Sequence, residues 1–261
     1  MNTYFFPFIP LLLSNTVMMT TAAQKKQPNI LFCIADDAGH MSAYGTSWVN
    51  TPAFDKVARE GLLFEQAFTC NAKSAPSRAA IITGRNSWQL KEACNHWPVF
   101  PYEFKSYPEA LSDNGYYVGY TGKGWGPGFA NDIRGNKRDI TGKPWNRKKL
   151  VPPTTQISNV DYSANFKDFL KNWDRKQPFC FWYGSLEPHR GYEFESSRRF
   201  GKDTSQIDSV PSYWPDNEVV RRDMLDYAVE IEHFDYHLGI ILRALEETGE
   251  LDNTVVIVTS D

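Results

Sequence analysis

The chain has 261 residues, with 28 Lys+Arg against 31 Asp+Glu and a formal net charge of -3 at pH 7. That length accommodates one sizeable core, and the near balance of charge argues against a nucleic-acid partner, which a basic excess would signal. Aromatic residues make up 15% of the chain, a level that suits stacking on sugar rings and suits ordinary packing equally well.

The first residues read as a secretory signal. Tyr4 to Leu13 is apolar, a polar and small stretch follows, and Thr20-Thr21-Ala22-Ala23 offers a small-residue cleavage site. The apolar run is too short to span a bilayer, and no cysteine sits at the cleavage site to carry a lipid anchor. The expectation is a signal over residues 1–23, cleavage near Ala23, and a secreted or periplasmic product without a membrane partner. The n-region departs from the usual pattern in having no Lys or Arg.

Beyond it, Asn29 to Ala35 is a short apolar run ending in Asp36-Asp37, the pattern of a buried parallel strand with a loop at its C-terminal end. Residues 51–60 carry helical spacing, with Thr51-Pro52 as the start signal. Strands are predicted over 63–69, 116–120, 178–185 and 254–259, and helices over 77–83, 107–113, 165–174 and 216–248. Two polar segments, 129–158 and 190–215, read as irregular surface excursions. Strands alternating with helices predict an α/β fold, a mostly parallel sheet flanked by helices on both faces, with chemistry beyond the carboxyl ends of the strands. Cys33 and Cys180 fall inside apolar strands as buried thiols; Cys70 and Cys94 could pair or stay free.

Three groups of residues carry chemistry. Asp36, Asp37 and Asp261 each follow an apolar strand. Clustered carboxylates repel unless a cation lies between them, and all-oxygen donors favour calcium, with magnesium second, over zinc. The alternative is a turn or helix cap. Ser74-Ala75-Pro76-Ser77-Arg78 precedes Ala79-Ala80-Ile81-Ile82-Thr83-Gly84-Arg85. Read as helix punctuation, Ser74 is an N-cap and Pro76 a first-turn proline, and a helix start also directs N–H groups at an anion. Arg78 lies one turn from Ser74. Lys123, in Thr121-Gly122-Lys123-Gly124-Trp125, and His189, in Glu187-Pro188-His189-Arg190, each follow a predicted strand. His233 and Asp235 on the long helix are further rim candidates without a specific case.

The Ser74–Arg85 text resembles the signature of the type I sulfatases of the alkaline phosphatase superfamily, written Cys or Ser, x, Pro, x, Arg, then Thr-Gly-Arg. The resemblance runs from Asn29 to Asp261, and the Pro188-His189-Arg190 and Val210–Asp216 segments look most like the N-sulfoglucosamine sulfohydrolase (heparan N-sulfatase) branch and its bacterial relatives. It implies that Ser74 is oxidised to formylglycine, whose hydrate attacks sulfur with one oxygen and releases sulfate through the other. It implies a calcium ion held by Asp36, Asp37, the residue-74 oxygen and Asp261, with Arg78 and Lys123 neutralising charge and His189 protonating the leaving group. The serine form implies maturation by a radical S-adenosylmethionine enzyme as a biosynthetic partner. The implied reaction is hydrolysis of a sulfate ester or sulfamate on a sugar, such as a glycosaminoglycan fragment carrying N-sulfoglucosamine.

In that family a histidine usually stands two residues after the lysine; here Trp125 does, and the role is left open. The chain stops at the tip of an apolar run, at Asp261. The expectation is a truncated N-terminal catalytic domain, 28–261, inactive as it stands because a metal ligand beyond Asp261 is missing. Two alternatives remain. One is a phosphatase or phosphodiesterase of the same superfamily with unmodified Ser74, disfavoured by only five histidines and no zinc-like pair. The other is an inactive sulfated-glycan-binding fragment.

Overall fold

The computed structural model describes Met1 and residues 27–261; the segment expected to be a signal lies outside the described residues. Seven strands and six α-helices alternate along them. The strands are β1 (Asn29–Ala35), β2 (Val99–Phe100), β3 (Tyr117–Gly122), β4 (Phe129–Ala130), β5 (Lys143–Pro144), β6 (Phe179–Gly184) and β7 (Thr254–Ser260). The helices are α1 (Pro52–Glu60), α2 (Ser74–Thr83), α3 (Tyr107–Asp113), α4 (Tyr162–Asn172), α5 (Ser196–Arg199) and α6 (Glu218–Glu247).

The main sheet has the order β5-β3-β6-β1-β7, and every pairing in it is parallel. Period-2 alternation sends the residues of β1 into two separate cores. Leu31, Cys33 and Ala35 pack with Phe166 and Phe169 of α4 and Leu225, Ile231 and Leu238 of α6. Phe32 and Ile34 pack on the other face with Ala79, Ala80 and Ile82 of α2 and with Trp182 of β6. Both faces of the central strands are therefore covered, which is why those strands read as unbroken apolar runs. The rings of Phe166, Phe169, Phe179 and Phe181 form one aromatic block in the larger core.

Most predicted elements are present, with shifted ends. The exception is 63–69, expected as a strand, which is irregular and leaves Phe64 and Phe68 exposed. Its apolar residues have no strand beside them among the described residues, so the local preference for extended structure is not turned into a ladder. Helix α2 begins at Ser74 itself, with Lys73 as its N-cap, so Ser74 is the first helical residue and caps nothing. The expected start of the fourth helix at 165 moves back to 162 because the Asp161 side chain accepts from Ala164 N and caps it. The excursions contain β4, β5 and α5, and β2 precedes them, all pieces too short for periodicity to reveal. Cys33 and Cys180 are buried, and Cys70 and Cys94 are both free. No helix among the described residues is long and apolar enough to cross a membrane.

Candidate active site

The carboxyl ends of β1, β3, β6 and β7 meet at one edge of the sheet, and the loops leaving them carry Asp36, Lys123, His189 and Asp261. Backbone bonds tie those ends together: Asp36 N donates to Glu187 O at 3.0 Å, and Lys123 N to Gly184 O at 2.7 Å. The approach of β3 to β6 demands glycine on both sides. A Cβ at Gly122 would lie 2.0 Å from Gly184 O, and one at Gly184 would lie 1.8 Å from Lys123 O. Gly122 also holds φ +73, a conformation that other residues adopt at a cost.

Asp36, Asp37 and Asp261 present carboxylate oxygens that all lie within 4.8 Å of one another. The buried start of α2 points into the same cluster, and Ser74 Oγ donates to Asp36 Oδ1 at 2.7 Å. Lys123 Nζ reaches both oxygens of Asp36, at 2.7 and 2.6 Å. Arg78 is wholly buried and makes the wall of the cleft. Its Nε donates to Asp261 Oδ2 at 2.6 Å and its Nη2 lies 3.4 Å from Asp36 Oδ1. Its Nη1 donates to the carbonyls of Lys123 and Gly124 at 3.0 and 3.1 Å. One guanidinium thus ties the start of α2 to the lysine turn and to the end of β7.

The cleft is electrostatically divided. Burial pushes the Asp36 carboxyl up and Asp261 adds to this, against the pull of Arg78 and Lys123. Burial also pushes Asp261 up, but Arg78 and its hydrogen bonds outweigh it and hold Asp261 at about 2. Burial, then Arg78, lowers the Lys123 ammonium, while Asp36 opposes both. Two buried acids that cannot both ionise cheaply are the arrangement that a shared cation relieves. The three carboxylates supply hard oxygen donors, so the residues present fit calcium or magnesium.

His189 stands at the rim. Its Nδ1 lies 3.1 Å from the Arg190 carbonyl, which can only accept, so that nitrogen carries the proton. Nε2 then faces Asp37 Oδ2 at 3.9 Å. Trp125, in the place of the family histidine, donates from Nε1 to Ala75 O at 3.2 Å and packs edge-on against Phe100. It braces the first turn of α2.

The other candidates lie elsewhere. Asp235 is buried and accepts from Ala53 N and Phe54 N at 2.9 and 2.7 Å, closing the start of α1. His233 is buried beside His237 and lines a separate cavity of about 640 Å³ between α4 and α6. Neither is a rim residue, because the face of α6 that bears them packs inward.

Two residues around the site were not among the sequence candidates. Glu187, part of the histidine motif, is buried and accepts from Ser158 N at 2.7 Å, Tyr162 Oη at 2.8 Å and Ser185 Oγ at 2.5 Å, which anchors the loop bearing His189. Tyr227 of α6 bonds the backbone of the Asp37–Gly39 turn. A buried acid quoted within a motif could have marked Glu187. Tyr227 lies 190 residues from Asp37, and no local pattern marks it.

A family model described as Sulfatase matches residues 28–261. An N-acetylglucosamine-6-O-sulfatase of Bacteroides thetaiotaomicron is 24% identical, covering 91% of this chain and 58% of its own length. The human N-sulphoglucosamine sulphohydrolase is 28% identical, covering 89% of this chain and 50% of its own. Among solved structures, yidJ of Bacteroides fragilis, a candidate sulfatase, superposes with a TM-score of 0.70 at 25% identity, over 92% of this chain and 63% of that one. The chain therefore spans about half to three-fifths of the length of these relatives. With the family model matching nearly all of the described residues, the chain belongs to the sulfatase family.

Proposed function

We propose that this chain forms the catalytic part of a sulfatase that removes sulfate, as an ester or a sulfamate, from a sugar of the glycosaminoglycan type, N-sulfoglucosamine being the first candidate. The observation that carries the reading is the meeting of Ser74, Asp36, Lys123, Arg78 and Asp261 in one cleft, with Ser74 Oγ 2.7 Å from Asp36. The sulfated sugars named for the relatives support the substrate class. Export to the periplasm or beyond, and maturation by a serine-type radical S-adenosylmethionine enzyme before it, belong to the same reading.

Formylglycine at position 74 would supply a hydrated aldehyde, with one oxygen to attack sulfur and a second through which sulfate could leave. Calcium would be held by Asp36, Asp37, Asp261 and the residue-74 oxygen, and would supply positive charge to the transferring sulfate. The chain's own residues do the rest. Asp36 accepts a hydrogen bond from the oxygen on residue 74 and so orients it. Lys123 Nζ, partly exposed and directed into the cleft, neutralises charge on the transferring group. Arg78 has no exposed surface to offer a substrate; it holds Asp261 and the Lys123 turn in place. His189 Nε2, exposed at the mouth, gives a proton to the departing sugar oxygen or nitrogen from the imidazolium form, Nδ1 keeping its own proton on the Arg190 carbonyl.

The test is sulfate release from N-sulfated and 6-O-sulfated glucosamine by the full-length protein made with its maturation enzyme, with Ser74→Ala as control. Release that depends on Ser74 and is lost on chelation is expected. Phosphate release from a phosphomonoester, without sulfate release, would replace this reading with the phosphatase one.

A further inference from the structure

The three carboxylates are not held alike. The Asp36 and Asp261 side chains are 2% and 0% exposed and are pinned by ion pairs, whereas that of Asp37 is 52% exposed. Packing does not place Asp37; its backbone must. That backbone has φ 69, a left-handed conformation costly for a residue with a Cβ, although aspartate tolerates it better than most. The Tyr227 hydroxyl closes the turn from the side. It accepts from Gly39 N at 2.6 Å and donates to Asp37 O at 3.0 Å, so both of its hydrogen-bonding roles are filled. Its ring is seated between Tyr192, at 5.7 Å, and His40, at 6.1 Å. On the far side of the turn Asp37 N donates to Asp261 Oδ1 at 3.0 Å, which carries the same restraint into the acidic cluster.

We infer that Tyr227 is a positioning residue for the cation site: its hydroxyl clamps the Asp37–Gly39 turn and so sets the Asp37 carboxylate beside Asp36 and Asp261. This rests on the cation reading proposed above. Removing the hydroxyl leaves Gly39 N–H and Asp37 C=O without their partner while the ring stays in place. The turn then relaxes, and Asp37 is the ligand lost.

Calcium titration calorimetry on wild type, Tyr227→Phe and Tyr236→Phe tests it. Tyr236 is exposed on the same helix and makes the matched control. The expected result is calcium binding about 10-fold weaker in Tyr227→Phe, within the range for partners that orient metal ligands, and unchanged in Tyr236→Phe. Binding by Tyr227→Phe equal to wild type would overturn the inference while leaving the cation reading intact. A wild type that binds no calcium would remove both. Melting in chelator separates a general loss of stability, which would not by itself change the affinity of the folded protein. Should Tyr227→Phe fail to fold, hydrogen exchange on wild type decides. Calcium must slow exchange of the Gly39 amide; exchange indifferent to calcium would overturn the clamp.

Discussion

The cleft has a buried wall and an exposed rim, built by different physics. Asp36, Ser74, Arg78 and Asp261 form the wall, almost wholly shielded from water and joined by Arg78 ion pairs of 2.6–3.4 Å and by the Ser74–Asp36 hydrogen bond. Asp37 and His189 form the rim, more than half exposed, 3.9 Å apart and held through backbone bonds from distant elements. In the wall, each side chain is both a functional group and part of the fold, so changing it threatens both. On the rim the two are separable, so a substitution there can remove chemistry and leave stability alone.

The sharpest contrast comes from the proposed nucleophile. Ser74→Ala should lower sulfate release by about 10⁴-fold or more, the scale of losing a nucleophile, while the protein remains folded. Release within tenfold of wild type would show that Ser74 does not attack sulfur. Arg78→Ala attacks the wall as structure. It strands Asp261 in the interior without its guanidinium, which should cost about 3–5 kcal/mol in urea unfolding. A loss below about 1 kcal/mol would mean that water reaches the wall.

His189→Ala should behave in the opposite way. Turnover is expected to fall about 100-fold with the melting temperature unchanged, because the side chain is exposed and touches little. A fall in stability equal to that of Arg78→Ala would erase the distinction between wall and rim.

The smallest effect lies beneath the rim, at Glu230 of α6. This carboxyl is 3% exposed, and its Oε1 has no hydrogen-bond partner. Burial, then the nearby Glu187, pushes it from 4.5 up to about 8. The unfolded chain releases this proton first, so the folded state is penalised as pH rises from about 4.5 to 8, and the penalty is constant above that. Glu230→Gln keeps the shape and removes the ionisation. Its stability relative to wild type should grow steadily across that window and level off above it, read from melting temperatures against pH. A difference that does not change with pH would show that Glu230 already ionises freely.

The wall was legible in the sequence and the rim only in part. An apolar run ending in acid marks the carboxyl end of a buried parallel strand, so Asp36 and Asp261 could be placed beside each other although 225 residues separate them. Ser74 and Arg78 came with their helix spacing. What supports the rim was not legible. Tyr227 read only as one more position on a long helix, and Glu187 had no role until Ser158, Tyr162 and Ser185 were seen around it. The failed strand at 63–69 teaches the same lesson: local preference names a strand, but only a neighbouring strand makes one. His233 and Asp235 misled for the opposite reason, since polar residues on a helix read as surface until packing turns their face inward.

The account depends most on the chemical state of residue 74. The direct measurement is the mass of the tryptic peptide Ser74–Arg78 from protein made in its native host. Oxidation of the serine to formylglycine removes two hydrogens, and the account predicts a peptide about 2 Da lighter than the encoded one. A peptide of unmodified mass, from protein that nonetheless releases sulfate, would contradict the proposed nucleophile.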